Sequence, residues 1–198
     1  MPDATEERLL TAVRDEVIAY GVRRATATSI AQRAGVSRMT VYRRGGGVKQ
    51  LVLDALSQEF ETFLAGVFAA VEQGRPARHA RDRLVTGVVE AVRVASHAPL
   101  VTALRRHDPE LLLPYLVDRH GRTQQAVLAY TEHLVAAGVA DGSVRDVDVR
   151  TAAHVLLHAL QDFVISAEIL AGTKDLVDLD GEIAHLVDAY LAPAGQRR

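Results

Sequence analysis

Between positions 37 and 49 the chain reads SRMTVYRRGGGVK. Three arginines, a lysine, a serine, a threonine and a tyrosine crowd into thirteen residues without a single carboxylate. These side chains grip polyanions: arginine forks onto a phosphate or a guanine edge, and hydroxyls donate to phosphate oxygens. The acid-free stretch reaches back to Arg23, so that positions 23–49 hold six arginines and one lysine. Elsewhere the charge is reversed. Residues 1–57 carry nine basic and six acidic side chains, and residues 58–198 carry fourteen and nineteen, for a net charge of −2. A basic segment on an acidic protein has the pattern of a polyanion-binding surface; a merely solvated basic face ordinarily has carboxylates interspersed.

A second group with chemical capacity is His154, His158 and Asp162, spaced i, i+4, i+8 on one face of a predicted helix. Paired imidazoles at that spacing suit zinc. Asp162, however, lies about 12 Å along the helix axis from His154, too far for one ion to touch both. The group reads as polar residues at a core or interface, or as metal ligands; no metal or cofactor is expected. His107 and His120 read as ordinary surface or pocket-edge histidines. The three glycines at 45–47 follow no strand and match neither phosphate-loop spacing, and there is no G-x-S-x-G, no H-E-x-x-H and no cysteine. The expectation is a protein that is not an enzyme.

The surrounding elements read as helices throughout. Apolar residues make up 48% of the 198 positions and charged residues 24%, the balance of a folded globular chain. No uninterrupted apolar run approaches the roughly 18 residues of a membrane span. The opening MPDATEERLL is acidic and polar where a signal peptide is basic and then apolar, which points to the cytoplasm. A first helix is predicted over 5–20, ended by Gly21. Thr26 caps a second that stops at Gly35, and Ser37 caps a short third running to about Arg44. That order, helix, tight glycine turn, helix, has the size of a helix-turn-helix. Longer helices follow over about 48–72 and 79–97, and Pro99 opens a shorter one ending near His107. Asp108-Pro109 opens another, and the last three fall near 124–137, 147–171 and 175–191.

The segment TATSIAQRAGVSRMTVYRR at 26–44 resembles the DNA-binding region of the TetR family of bacterial transcriptional regulators. Thr26, Ile30, Ala31, Ala34, Gly35, Val36, Ser37, Thr40 and Tyr42 match the family pattern, with Val41 in place of its usual leucine. The resemblance covers about residues 6–60 in sequence and is architectural beyond. It implies an all-α protein of about nine helices, with a DNA-binding domain over 1–47 and a helical effector-binding and dimerisation domain over 48–198. The partners implied are a near-palindromic double-stranded DNA operator, a small-molecule effector that releases the protein from it, and a second copy of the chain. A helical ligand-binding protein or enzyme with a vestigial helix-turn-helix is the alternative.

The DNA-binding candidates are Thr26, Thr28, Ser37, Arg38, Met39, Thr40, Tyr42, Arg43, Arg44 and Lys49. Arg38 can take a guanine edge or a phosphate, and Met39 can meet a thymine methyl or serve packing. Thr28 combines a hydroxyl with a helix N-terminus, and Tyr42 is placed for a phosphate. Arg44 stands where the family often has a phosphate-contacting histidine. For the effector the resemblance implies a mostly apolar cavity. Candidate lining residues are Phe60, Phe63, Phe68, Leu104, Leu116, Tyr130, His158 and Phe163, any of which could equally be core. The last two helices carry apolar residues on more faces than one small chain can cover, which suits a two-fold dimer seam or an intrachain core.

Two positions depart from the family pattern. Gly45 stands where an aromatic or aliphatic side chain usually follows the basic pair, and Val48 stands one position before Lys49, where the family has its lysine. The joint between the third and fourth helices therefore lacks the side chain that would stiffen it. Amide hydrogen exchange across residues 44–48 is expected to run faster than in the adjoining helices of the DNA-free protein, and Gly45→Phe to tighten DNA binding. Exchange no faster than in those helices would refute the loose joint.

Overall fold

The computed structural model describes residues 4–43, 47–73, 79–111, 121–172 and 178–195. Arg44, Gly45, Gly46, the predicted break at 74–78, Leu116 and most of the helix expected after Asp108 lie outside these. Among the described residues there are ten helices and no strand. They are α1 (Ala4–Tyr20), α2 (Ala27–Ala34), α3 (Arg38–Arg43), α4 (Gly47–Gln73) and α5 (Ala80–His97), followed by α6 (Pro99–His107), α7 (Arg122–Ala140), α8 (Val149–Ile165), α9 (Ala167–Gly172) and α10 (Leu179–Leu191). The chain folds as two compact units, one from described residues within 1–61 and 97–119, the other from those within 62–96 and 120–198. Among the described residues no single helix is long and apolar enough to cross a membrane.

In the first unit, α1 buries Leu9, Val13 and Val17, α2 buries Ile30 and Ala31, and the start of α4 buries Leu51, Val52 and Leu56. α6 adds Leu100 and Leu104, both fully buried. Carboxylates lock these helices together. Arg33 Nε on α2 donates to Glu16 Oε1 on α1 at 2.9 Å, and that bond raises the guanidinium above its ordinary pKa. Arg14 Nε on α1 donates to Glu59 Oε2 on α4 at 2.6 Å. The other Glu59 oxygen accepts the Leu100 N–H at 3.3 Å. Helix α6 starts on Ala98 and Pro99 without a side-chain cap of its own, so Glu59 supplies negative charge where the helix dipole favours it. At the other end of α6, buried Asp108 accepts the Val22 N–H through Oδ2 at 2.8 Å. That contact lies just past Gly21, which takes φ 78° to end α1.

In the second unit α7 packs along α8, and Leu134, Val135, Ala153, Leu156, Ile183 and Val187 are buried. The turn after α7 caps α5: Asp141 Oδ2 accepts the Ala80 N–H at 2.9 Å and Ser143 Oγ the Arg81 N–H at 3.3 Å. Burial would raise the Asp141 carboxyl, but the bonds from Ser143 and Ala80 outweigh it and hold it below the usual range. A Cβ at Gly138 would collide with the Val144 side chain, so a larger residue there must displace it. The helix expected over 147–171 is in fact two. α8 ends at Ser166, whose N–H bonds back to Asp162 O at 2.8 Å, and α9 begins at Ala167.

Glu59 serves two helices at once, so its replacement should cost more than that of an exposed carboxylate. Glu59→Gln is expected to lower the free energy of unfolding by about 1–3 kcal/mol in a urea titration. Glu90→Gln, which removes only the exposed pair to Arg93, should leave the midpoint nearly unchanged.

Candidate nucleic-acid interface

Local capping fixes the two helices of the motif. Thr26 Oγ1 accepts the Ser29 N–H and Ser29 Oγ accepts the Thr26 N–H, each at 3.1 Å, a reciprocal box that satisfies two donors at the start of α2. Gly35 ends α2 in the left-handed conformation, φ 65°, and the following N–H, from Val36, reaches back to Ala31 O at 3.0 Å. Ser37 Oγ then accepts the Thr40 N–H at 3.1 Å to start α3, and the two hydroxyls bond each other at 2.9 Å. Val41 is the anchor of α3, 1% exposed. Met39 and Arg43 stand opposite it and Arg38 and Tyr42 on its flanks, all exposed.

The geometry sorts the DNA-binding candidates by commitment. The hydroxyls of Thr26, Ser37 and Thr40 are engaged in caps. Arg38, Met39, Tyr42, Arg43, Thr28 and Lys49 are exposed, and no hydrogen bond or ion pair within the described residues engages their side chains. Of the other cations in the acid-free stretch, Arg33 is bonded to Glu16, and Arg23 faces Asp108 and Glu110 at 3.9 and 3.5 Å. Arg24, exposed, is also without an acidic partner among the described residues. Lys49 sits in the first turn of α4, where the helix dipole disfavours a cation. That placement becomes favourable once an anion lies alongside.

The described effector candidates fall in both compact units. Phe60 and Leu104 are buried in the first unit. Phe63, Phe68, Tyr130, His158 and Phe163 belong to the second. Phe68 and Tyr130 do meet, their rings stacked with centroids 3.9 Å apart. The Tyr130 hydroxyl donates to Glu72 Oε1 at 3.1 Å, and Arg83 approaches Glu72 at 3.7 Å. Burial, with help from Glu72, pushes the Tyr130 pKa up to about 12. The sequence held no sign of this pairing, because its partners lie on three helices.

His154 and His158 lie nearly parallel, 6.1 Å between centroids, in an open groove of 440 Å³ with Arg150, Thr151 and Val155. Asp162 instead accepts from Ser166 Oγ at 3.5 Å, and His158 Nδ1 lies 3.2 Å from Gln161 Oε1. Among the described residues no group of three or more His, Cys, Asp or Glu side chains is arranged to hold a metal ion.

No family model matches the chain. Helix-turn-helix-type transcriptional regulators of Mycobacterium tuberculosis and Mycobacterium bovis, uncharacterised in function, are 30% identical to it over 187 residues, 94% of each chain. Among solved structures, the fatty acid degradation regulator FadR of Bacillus halodurans superposes with a TM-score of 0.71 at 16% identity, covering 100% of this chain and 99% of that one. FadR of Bacillus subtilis, solved in complex with stearoyl-CoA, gives 0.67 at 16% identity over 93% of this chain and 98% of that one. A TetR/AcrR-family regulator from Thermobifida fusca gives 0.64 at 18% identity over 99% and 100%.

The division between engaged and unengaged hydroxyls makes a prediction. Thr26→Ala should lower stability by about 0.5–2 kcal/mol through loss of the cap. Thr28→Val should leave the thermal midpoint unchanged while weakening DNA binding, as read by fluorescence anisotropy beside a denaturation curve.

Proposed function

Since this chain belongs to the helix-turn-helix transcriptional regulators and has the TetR/AcrR fold, we propose that it is a homodimeric repressor whose two α3 helices enter major grooves of a near-palindromic operator. The observation that carries this is the row of unengaged groups on α2, α3 and the first turn of α4: Thr28, Arg38, Tyr42, Arg43 and Lys49. Thr28, Tyr42, Arg43 and Lys49 bind phosphates and set the register; Arg38 takes either a phosphate or a guanine edge. Two copies place their recognition helices about one helical turn, or a small multiple of it, apart.

Residues 1–47 then read DNA, and the helices from 48 onward bind an effector and pair the subunits. Exposed Val155 on α8 and Leu186 on α10, each 44% exposed, support a seam between copies along these helices. The effector is a small, largely apolar molecule held by second-unit residues such as Phe63, Phe68, Tyr130 and Phe163; the acyl chain of the stearoyl-CoA bound by the Bacillus subtilis neighbour supports an apolar class. Effector and operator weaken each other's binding by the same factor, as linkage requires. Such a protein works in the cytoplasm, beside the chromosome.

Salt-titrated binding to genomic fragments tests the reading. The logarithm of the binding constant should fall linearly with that of salt concentration, and Arg43→Ala or Lys49→Ala should each reduce the slope by about two per dimer. Tyr42→Phe should weaken all sequences alike. Arg38→Ala should shift sequence preference if Arg38 reads a base, whereas equal losses on cognate and random DNA assign it to phosphate. A folded dimer that binds no fragment at low salt would overturn the repressor in favour of a ligand-binding protein that has lost DNA recognition.

A further inference from the structure

In the leading turn of α3, the part that enters a groove first, the side chain aimed most directly outward is not an arginine; Arg43 is as far from Val41 but lies at the helix's other end. At about 100° per residue, Met39 points about 160° away from Val41, the residue that anchors the helix in the core. Arg38 is only about 60° from Val41 and Tyr42 about 100°, so both lie on the flanks. Met39 is 72% exposed, more than Tyr42 at 54%. The option of a packing role left open by the sequence is therefore closed, and an apolar thioether stands on the crest of a helix surrounded by cations and hydroxyls.

The polar alternatives beside it are largely engaged, with one hydroxyl proton of the Ser37–Thr40 pair left over. The Ser37 and Thr40 hydroxyls bond each other at 2.9 Å, and Ser37 Oγ takes the Thr40 N–H as well. The leading turn of α3 thus offers a base edge little hydrogen-bonding capacity apart from Arg38. A thioether is at best a weak acceptor, so what Met39 contributes on contact is apolar surface. Only one feature of the major-groove floor rewards apolar surface: a methyl group at C5 of a pyrimidine.

We propose that Met39 is a specificity-determining residue that reads a C5 methyl group, that of a thymine, at one position in each operator half-site. This rests on the repressor reading above and adds which base is recognised and by what force. The recognition is of the methyl alone, so a 5-methylcytosine at the same position supplies the same contact.

The test starts from the operator selected by the wild-type protein from random DNA. Each thymine is replaced in turn by deoxyuridine, which removes the methyl and nothing else. One thymine per half-site should then cost wild type about three- to tenfold in affinity. Met39→Ala and the near-isosteric Met39→Gln should bind the thymine operator more weakly and show no further loss with uracil at that position. Met39 is exposed, so both variants should keep the wild-type thermal midpoint. With cytosine placed there, C5 methylation should restore binding to wild type by a similar factor and not to Met39→Gln. The proposal is overturned if wild type tolerates uracil everywhere, or if the uracil penalty is as large in Met39→Gln as in wild type. Selection that yields no preferred sequence would overturn the repressor reading and this inference together, whereas a clear operator without methyl dependence overturns this inference alone.

Discussion

A six-residue helix cannot hold itself together in water, because nucleation fixes several residues before hydrogen bonds repay the loss. α3 therefore exists only by virtue of what it is attached to, and the attachment is narrow. Val41 is its single buried side chain, Ser37 closes its first turn, and Gly35 delivers the chain at the right angle. The rest of its surface is left to face outward. The same smallness that makes the helix dependent on its neighbours makes it narrow enough to enter a groove about 12 Å wide.

Electrostatics adds a second layer of economy. Seven cations fall between Arg23 and Lys49 without a local acid, yet they are not equivalent. Arg33 is drawn to Glu16 on α1, and Arg23 lies toward the end of α6. Those two help to build the head. The cations on α3 and at the start of α4 have no acidic partner among the described residues, in a region where carboxylates would both neutralise them and repel a phosphate backbone. Buried or half-buried carboxylates are placed behind this surface, at Glu16, Glu59 and Asp108, where each completes a helix junction.

Much of this was legible from residue types alone, and the reason is locality. Thr26, Gly35 and Ser37 act within a few positions of themselves, so the boundaries of α2 and α3 could be read from them. The DNA-binding regulator and its all-helical fold followed from the same short stretch. What depended on distant partners was not legible. Nothing near Arg33 or Arg23 announces Glu16 or Asp108, so the basic run looked uniformly available. Apolar periodicity marks a buried face but not which core receives it: Phe60 is buried in the first unit, whereas Phe63, one turn on, belongs to the second. Ser166 interrupts the helix expected over 147–171 without proline or glycine, and no local signal marks the break.

The Asp108 contact has a consequence for the order in which this protein is made. Its carboxylate holds the amide of Val22 across 86 positions of sequence. Glu59 likewise waits for the Leu100 amide, 41 positions on. A ribosome therefore releases all of α1, α2 and α3 well before the residues that complete their packing have been synthesised. The segment that meets DNA is translated first and finished late, and its basic, hydroxyl-rich surface emerges while the framework behind it is still incomplete.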